Sequence, residues 1–415
     1  MVGLVAGCRA CGGRLTVTMA DLGMQPASNA FLVSHAAINE ETRYPLRAKV
    51  CDSCKLVQLD FDVAREELFG NYVYFSSYSD HWLAHAQAYC DMARQRFALN
   101  SSSLVVELAS NDGYLLKNFL KMGIPVLGID PSDTVAAAAE KIGVPTLVRF
   151  FGENVAKELA GQGRQADLII GNNVLAHVPQ LNDFIAGIAL LLRPNGSVTI
   201  EFPHLLELIK HVEFDTIYHE HFSYISLYAI EQVFARHRLR IYDVERLSTH
   251  GGSLRIFAAH ASRSDLKDSA VLLEVRAQET AAGLPELATY GQFAERVNEC
   301  RDSLLQFLAG AKHEGKRVAA YGAAAKGNTL LNFCGVTPQD ILFVADRNPH
   351  KQQKLLPGTH IPVVSPEELM QAKPDYVLIL PWNLRDEIRL QLDGIKEWGG
   401  RFVTPVPSVR VYDAP

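Results

Sequence analysis

The chain has 415 residues, 48% hydrophobic and 21% charged, enough to bury a large core divided among two or three domains. A formal charge of −6 and a pI near 6.2 give no general attraction for nucleic acid or acidic membrane surfaces. No run of about eighteen apolar residues appears, and Met1-Val2-Gly3-Leu4-Val5-Ala6 lacks the charged start and long apolar stretch of a signal peptide, so a cytosolic protein is expected.

Four of the seven cysteines fall into two pairs, Cys8-Arg9-Ala10-Cys11 and Cys51-Asp52-Ser53-Cys54. In a reducing compartment that spacing favours zinc over disulfides, because each knuckle turn points two sulfurs inward and two knuckles complete a tetrahedral set. With four sulfur ligands no position is left for water or substrate, so the zinc is expected to be structural. The long gap between the knuckles predicts an excursion, at Asp21-Leu22-Gly23-Met24-Gln25-Pro26. Cys90, Cys300 and Cys334 read as small core residues. Next comes Tyr72-Val73-Tyr74-Phe75-Ser76-Ser77-Tyr78-Ser79, which either covers a pocket or packs as a half-exposed linker. A helix is predicted from His81 to about Phe97.

Strands and helices then alternate: strand Leu104–Leu108, helix Tyr114–Met122, strand Val126–Ile129, helix Ser132–Ile142. Such alternation predicts a mostly parallel sheet with helices on both faces and ligands at the carboxyl ends of its strands. That places Glu107, Ser110, Asn111, Asp112, Gly113 and Asp130 at one crevice. The first turn has one late glycine, Gly113, rather than G-x-G-x-x-G, which suits a nucleoside better than a pyrophosphate. Asp130 can accept ribose hydroxyls, and the pattern favours S-adenosylmethionine over NAD; a nucleotide-free doubly wound domain is the alternative. Strands at 167–171 and 197–201 follow, the first running into Asn172, Asn173 and His177 at the same crevice.

Residues 218–222, Tyr-His-Glu-His-Phe, are a polar turn, a metal ligand pair or a catalytic cluster; His204 and His211 lie at no recognised metal spacing. An antiparallel pair is predicted at 240–245 and 253–259, flanking Thr249-His250-Gly251-Gly252, whose glycines permit close backbone approach or unusual turns. A long helical region, Leu266 to Lys312, precedes a second alternation: strand Arg317–Tyr321, a Gly322–Gly327 turn opening a helix through Phe333, and strands at 341–346 and 376–380. That turn, with Lys326 at a helix start, suits the diphosphate of a nucleotide, or else the region only buttresses the second domain.

The two cysteine knuckles, Ser110-Asn111-Asp112-Gly113, Asn173-Val174-Leu175-Ala176-His177-Val178, Tyr218-His219-Glu220-His221, Thr249-His250-Gly251-Gly252-Ser253-Leu254-Arg255 and Tyr321-Gly322-Ala323-Ala324-Ala325-Lys326-Gly327-Asn328 occur in this order. Nearly the whole chain thereby resembles the zinc-containing, S-adenosylmethionine-dependent sugar C-methyltransferases of deoxysugar biosynthesis. Ala109 departs from the glycine usual in the first motif. The resemblance implies an α/β protein with three parts: a small zinc-binding domain (1–70), a Rossmann-like class I methyltransferase domain (71–262) and a second Rossmann-like α/β domain for the nucleotide sugar (263–415). It implies methylation of the carbon beside the ketone, C-3, of a dTDP-linked 4-keto-6-deoxyhexose by a monomer or weak homo-oligomer, with neither nucleic acid nor membrane as partner.

A carbon acceptor needs a base, a donor for the enolate oxygen and an aligned methyl group. His221 can be the base at a near-neutral pKa. Glu220 or another carboxylate can orient an imidazole, and Tyr218 or His177 can donate to the enolate. The resemblance assigns His221 as base, puts Tyr218, Glu220 and His177 in the reacting shell, and makes Asn173, Tyr72, Arg255 and Lys326 candidate substrate contacts. An O- or N-methyltransferase on a small metabolite or nucleotide sugar would need no such base. A non-enzymatic binder on the same scaffold would not need Glu107, Asp112 and Asp130.

Overall fold

The computed structural model describes residues 3–64, 68 and 80–415. The Tyr72–Ser79 stretch, and with it Tyr72 as a substrate contact, lies outside the described residues.

The amino-terminal unit is built from β1 (Gly3–Leu4), β2 (Leu15–Gln25), β3 (Tyr44–Cys51), β4 (Val57–Leu59) and β5 (Phe61–Asp62). β2, β3 and β4 form an antiparallel meander, and β1 pairs with β5. The excursion expected at Asp21–Pro26 is instead mostly strand: β2 continues to Gln25, with a register shift between Asp21 and Met24 that absorbs Gly23 at φ +74°. The loop after it crosses to the far end of the chain, where Leu32 and Leu355 exchange backbone hydrogen bonds.

The central sheet comprises β6 (Val105–Leu108), β7 (Val126–Asp130), β8 (Thr146–Val148), β9 (Ala166–Asn172), β10 (Leu192–Pro203), β12 (Leu239–Leu247) and β13 (Ser253–His260). Its order is β12-β13-β10-β9-β6-β7-β8, with β6 to β10 parallel and β13 antiparallel to both neighbours. The strands of a parallel sheet are covered on both faces, and accordingly all four residues of β6 and all five of β7 are buried. After β6 the chain winds outward through β7 and β8, then returns to lay β9 on the other side of β6. The crevice at this switch point lies at the carboxyl ends of β6 and β9. The intervening short strand β11 (Ser223–Tyr224) leaves this sheet and joins the amino-terminal one beside β4.

The helical region expected as one piece is three helices, Ala270–Ala281, Leu287–Gly291 and Phe293–His313. Gly283, at φ +75°, and Pro285 break the run. Buried Glu279 on the first of them accepts from the Leu227 and Tyr228 amides, both at 2.7 Å, and pairs with His204 at 2.6 Å, pinning this connector to the central unit.

The carboxyl-terminal sheet has β14 (Val318–Tyr321), β15 (Val344–Ala345), β16 (Val363–Val364), β17 (Tyr376–Ile379), β18 (Arg401–Thr404) and β19 (Arg410–Asp413) in the order β16-β15-β14-β17-β18-β19. It repeats the doubly wound plan, with a switch point between β14 and β17. Met19, Leu46 and Val50 of the amino-terminal sheet share one core with Phe214, Leu330 and Val336, so the first and last units are packed together around the central one.

Candidate active site and metal centre

The sulfurs of Cys8, Cys11, Cys51 and Cys54 all lie within 4.8 Å of one another, with Cys8 and Cys54 at 3.5 Å and Cys11 and Cys51 at 3.3 Å. Zinc–sulfur bonds of about 2.3 Å in a tetrahedron need sulfurs at this separation, and four clustered thiolates need a cation. A Cβ on Gly13 would stand 3.1 Å from the Cys11 and Cys51 sulfurs, so glycine lets the backbone close over the cluster. The second knuckle is the β3–β4 turn, and β4 pairs with β11, which begins two residues after His221.

At the switch-point crevice, Ala109, Asn111 and Gly113 all have left-handed backbones, at φ +56°, +50° and +75°. The loop therefore keeps a conformation suited to glycine at three positions while only one is glycine. At Gly113 packing also demands it, since a Cβ would stand 3.0 Å from Val144. Asp130 accepts from the Asn111 and Ser132 amides, each at 2.9 Å, which leaves about two of its four lone-pair sites for ligand hydroxyls. Buried Glu107 is pushed well above the ordinary carboxyl range by burial and then by the charges of Asp130 and Asp112. Three buried acids fit a cationic ligand, and the Glu107 Oε2 and Asn172 Oδ1 atoms are buried without a hydrogen-bond partner among the described residues. S-adenosylmethionine, with its sulfonium and amino group, meets these requirements. Ser110 is less exposed to it, its hydroxyl occupying the space a Cβ on Gly128 would fill.

Across the crevice, the Tyr218 carbonyl accepts from the His221 amide at 2.9 Å, which makes residues 218–221 a turn. Tyr218 and His221 consequently face together: the tyrosine hydroxyl is 2.8 Å from His221 Nε2. His221 Nδ1 is 2.8 Å from the Thr216 carbonyl oxygen. Carbonyl oxygen only accepts, so Nδ1 carries the proton and Nε2 the lone pair, to which Tyr218 donates. His177 stands edge-on to His221, ring centroids 4.7 Å apart.

Two expectations are corrected here. His221 does not keep a near-neutral pKa: burial, then the neighbouring His177, hold it well below the usual histidine range. His177 is likewise lowered by burial to about 4. The group that orients His221 is the Thr216 carbonyl and not Glu220. The turn aims Glu220 the other way, to Asn29, whose amide donates to Oε1 at 2.6 Å. Burial raises Glu220 to about 7, with Asn29 and the charge of Lys351 pulling it down. His219 does not share a metal with His221; its Nε2 faces the Pro45 carbonyl at 3.3 Å.

Asn173 has a left-handed backbone at φ +53° whose amide donates to the Glu201 carbonyl, and its buried Oδ1 is without a partner among the described residues. Arg255 is not open to substrate. Its guanidinium, only 3% exposed, pairs with Glu201 at 2.9 Å and Glu245 at 2.6 Å across the sheet, over the Tyr89 ring. Gly251 and Gly252, at φ +93° and +141°, serve packing: a Cβ would stand 2.2 Å from Glu213 Oε1 and 2.7 Å from Glu207 Cγ.

Lys326 lies in the helix Ala325–Phe333, its Nζ 3.1 Å from Asn383 Oδ1 and 4.8 Å from the Trp382 ring centroid. Trp382, whose ring Lys326 overlies, donates its indole N–H to buried Asp215 at 2.7 Å, so this turn packs against the central unit beside residues 213–216. In the same first turn Asn328, 1% exposed, has both side-chain amide atoms without a partner among the described residues. Asn29, Thr216, Lys351 and Asn328 were not singled out from sequence; the last stood inside a quoted motif.

A methyltransferase-domain family matches residues 82–244, a zinc-binding-domain family residues 8–69, and a C-methyltransferase C-terminal-domain family residues 248–407. C-methyltransferase NovU of Streptomyces niveus is 38% identical over 410 residues, 98% of this chain and 97% of that one. A ubiquinone biosynthesis O-methyltransferase of Rhodopseudomonas palustris (strain TIE-1) is 27% identical over 117 residues, 26% of this chain and 46% of its own length. Among solved structures, magnesium protoporphyrin IX methyltransferase (ChlM) from Synechocystis PCC 6803 superposes at a TM-score of 0.33 with 17% identity, over 46% of this chain and 86% of that one.

Proposed function

The chain belongs to the family of zinc-containing, S-adenosylmethionine-dependent C-methyltransferases, and we propose that it methylates C-3, the carbon beside the ketone, of a dTDP-linked 4-keto-6-deoxyhexose. The observation that carries this reading is the fixed tautomer of His221. An acceptor carbon becomes nucleophilic only when a base removes its proton, and Nε2 offers a lone pair whose direction is set by the Thr216 carbonyl behind the ring.

Glu107, Asp112, Asp130 and Asn172 would hold S-adenosylmethionine, which would supply a methyl group already activated on cationic sulfur. His221 Nε2 would take the C-3 proton, the C–H electrons moving into the enolate; its carbon would then bond the methyl group as the sulfur–methyl bond breaks, its electron pair staying on sulfur and neutral S-adenosylhomocysteine leaving. Tyr218, which donates to Nε2 at rest, turns its hydroxyl to the enolate oxygen as Nε2 acquires the proton. His177, edge-on to the His221 ring, shields the imidazole from water. Asn173 orients the sugar from the His221 side, and Glu220, aimed toward Asn29 and Lys351, meets it from the side of the carboxyl-terminal unit.

The nucleotide is proposed to lie on the carboxyl-terminal unit, its diphosphate at the Gly322–Gly327 turn with Lys326. The unpartnered Asn328 amide at the start of that helix supports a polar ligand there. The proposed setting is the cytosol, with soluble, charged substrate and cofactor; among the described residues no helix is long and apolar enough to cross a membrane.

The test is incubation with S-adenosylmethionine and a panel of nucleotide-linked 4-keto-6-deoxyhexoses, followed by mass spectrometry and carbon NMR. A new carbon-bound methyl at C-3 is the expected product. A methyl on oxygen or nitrogen, or untouched sugars, would replace this reading with an O- or N-methyltransferase on another small acceptor.

A further inference from the structure

We infer that Asn29, delivered by the zinc-binding unit, is a positioning residue of the active site: its side-chain amide fixes the Glu220 carboxylate from across a domain boundary. The inference rests on the assignment of Glu220 to the reacting shell.

Asn29 is itself exposed, yet its Nδ2 is 2.6 Å from Oε1 of a glutamate that is only 4% exposed. A contact this short to a buried carboxyl is a charge-assisted hydrogen bond when Glu220 is ionised. The backbone on either side of Asn29 is moored to the carboxyl-terminal unit. Ser28 Oγ lies 3.4 Å from Thr329 Oγ1, Leu32 bridges Leu355, and Lys351 Nζ stands 5.5 Å from the Phe31 ring centroid. Thr329 and Asn328 are neighbours in the helix that opens at the Gly322–Gly327 turn. One short loop thus touches the reacting turn of the central unit and the ligand-facing helix of the last unit. Whatever settles that helix also settles the donor to Glu220.

The chemistry follows from the donor. An amide N–H favours the charged carboxylate, so removing it makes Glu220 harder to ionise. Of the charged groups facing this carboxyl, Lys351 pulls the same way, itself 3.7 Å from Asp346 and 2.7 Å from the Ala323 carbonyl. The adjoining imidazoles of the turn, His219 and His221, and that of His177 are all lowered by burial, His177 and His219 to about 4, and are neutral near pH 7.

The test uses the full zinc-loaded protein labelled with carboxyl-13C glutamate, with Glu220→Gln identifying the resonance. Wild-type Glu220 should titrate near 7. Asn29→Ala should move the midpoint up by about one pH unit, a tenfold change in the dissociation constant. Asn29→Asp, the same shape with an acceptor in place of the donor, should move it further. A purely structural asparagine would tolerate the isosteric aspartate, so an unmoved midpoint in Asn29→Asp overturns the inference. The ascending limb of kcat/KM against pH should follow the carboxyl; a limb that stays put while the resonance moves also overturns it. If the wild-type enzyme methylates no keto sugar, the proposed function fails while the titration still decides the Asn29 contact.

Discussion

The Nδ1 of His221 lies 2.8 Å from the carbonyl oxygen of Thr216, and this contact decides which face of the imidazole is basic. Because Nδ1 must donate, Nε2 is the acceptor, and the Tyr218 hydroxyl donates a hydrogen bond to it at rest. In Tyr218→Phe the base survives but the enolate loses its donor. Loss of one such donor lowers kcat by about 10²–10³-fold, with KM little changed. Steady-state kinetics within twofold of wild type would contradict the role.

The sequence made the architecture legible where period and punctuation agreed. Leu104–Leu108 and Val126–Ile129 read as strands from their mostly apolar runs, the structure has them as Val105–Leu108 and Val126–Asp130, and the switch-point crevice followed from their order. The region 266–312 did not resolve into three helices, because its apolar spacing continues across the Gly283 break. Within the site, the Tyr-His-Glu-His run disclosed the residue types but not their directions. A turn puts Tyr218 and His221 on one side and Glu220 on the other, and a strand would have paired them differently. The partners that decide the chemistry, a Thr216 backbone oxygen and the Asn29 amide 191 residues away, carry no local signal. Arg255 looked like a substrate contact for the same reason: only the folded sheet shows Glu201 and Glu245 neutralising it.

Ala109 sits at φ +56°, a conformation that costs a residue with a Cβ about 1–2 kcal/mol. Ala109→Gly should therefore stabilise the fold by about 1 kcal/mol after the entropic cost of glycine is included. Urea unfolding that shows a loss of stability would mean that the Cβ makes contacts outweighing the strain.

The zinc knuckle Cys51–Cys54 closes the β3–β4 turn, β4 pairs with β11, and β11 begins two residues after His221. Removing zinc with a strong chelator should lower the melting temperature and collapse kcat, because the metal holds the strand that frames the base. The affinity for S-adenosylmethionine, read by calorimetry, should change less than about threefold, since its crevice lies on a different sheet. Equal loss of cofactor binding would show that the metal supports the whole chain instead.

Glu213 is 1% exposed and burial raises it to about 8, Lys326 pulling in the opposite sense. Its folded-state pKa exceeds the ordinary 4.5, so the folded protein holds a proton that the unfolded chain releases. Stability should fall as pH rises from about 4.5 to about 8, by a few kcal/mol from this group. Glu213→Gln should remove that slope and gain most at pH 8. Parallel curves of unfolding free energy against pH for the two proteins would refute the assignment.

The central claim is that His221 removes a proton from carbon, and solvent exchange reads that step without waiting for methyl transfer. With the sugar found to be the acceptor, S-adenosylhomocysteine in place of the methyl donor and heavy water as solvent, proton NMR should show deuterium entering C-3. His221→Asn should still bind cofactor but slow both exchange and methylation by about 10²–10⁴-fold. Exchange that continues at the wild-type rate in His221→Asn would contradict the account and assign the base elsewhere.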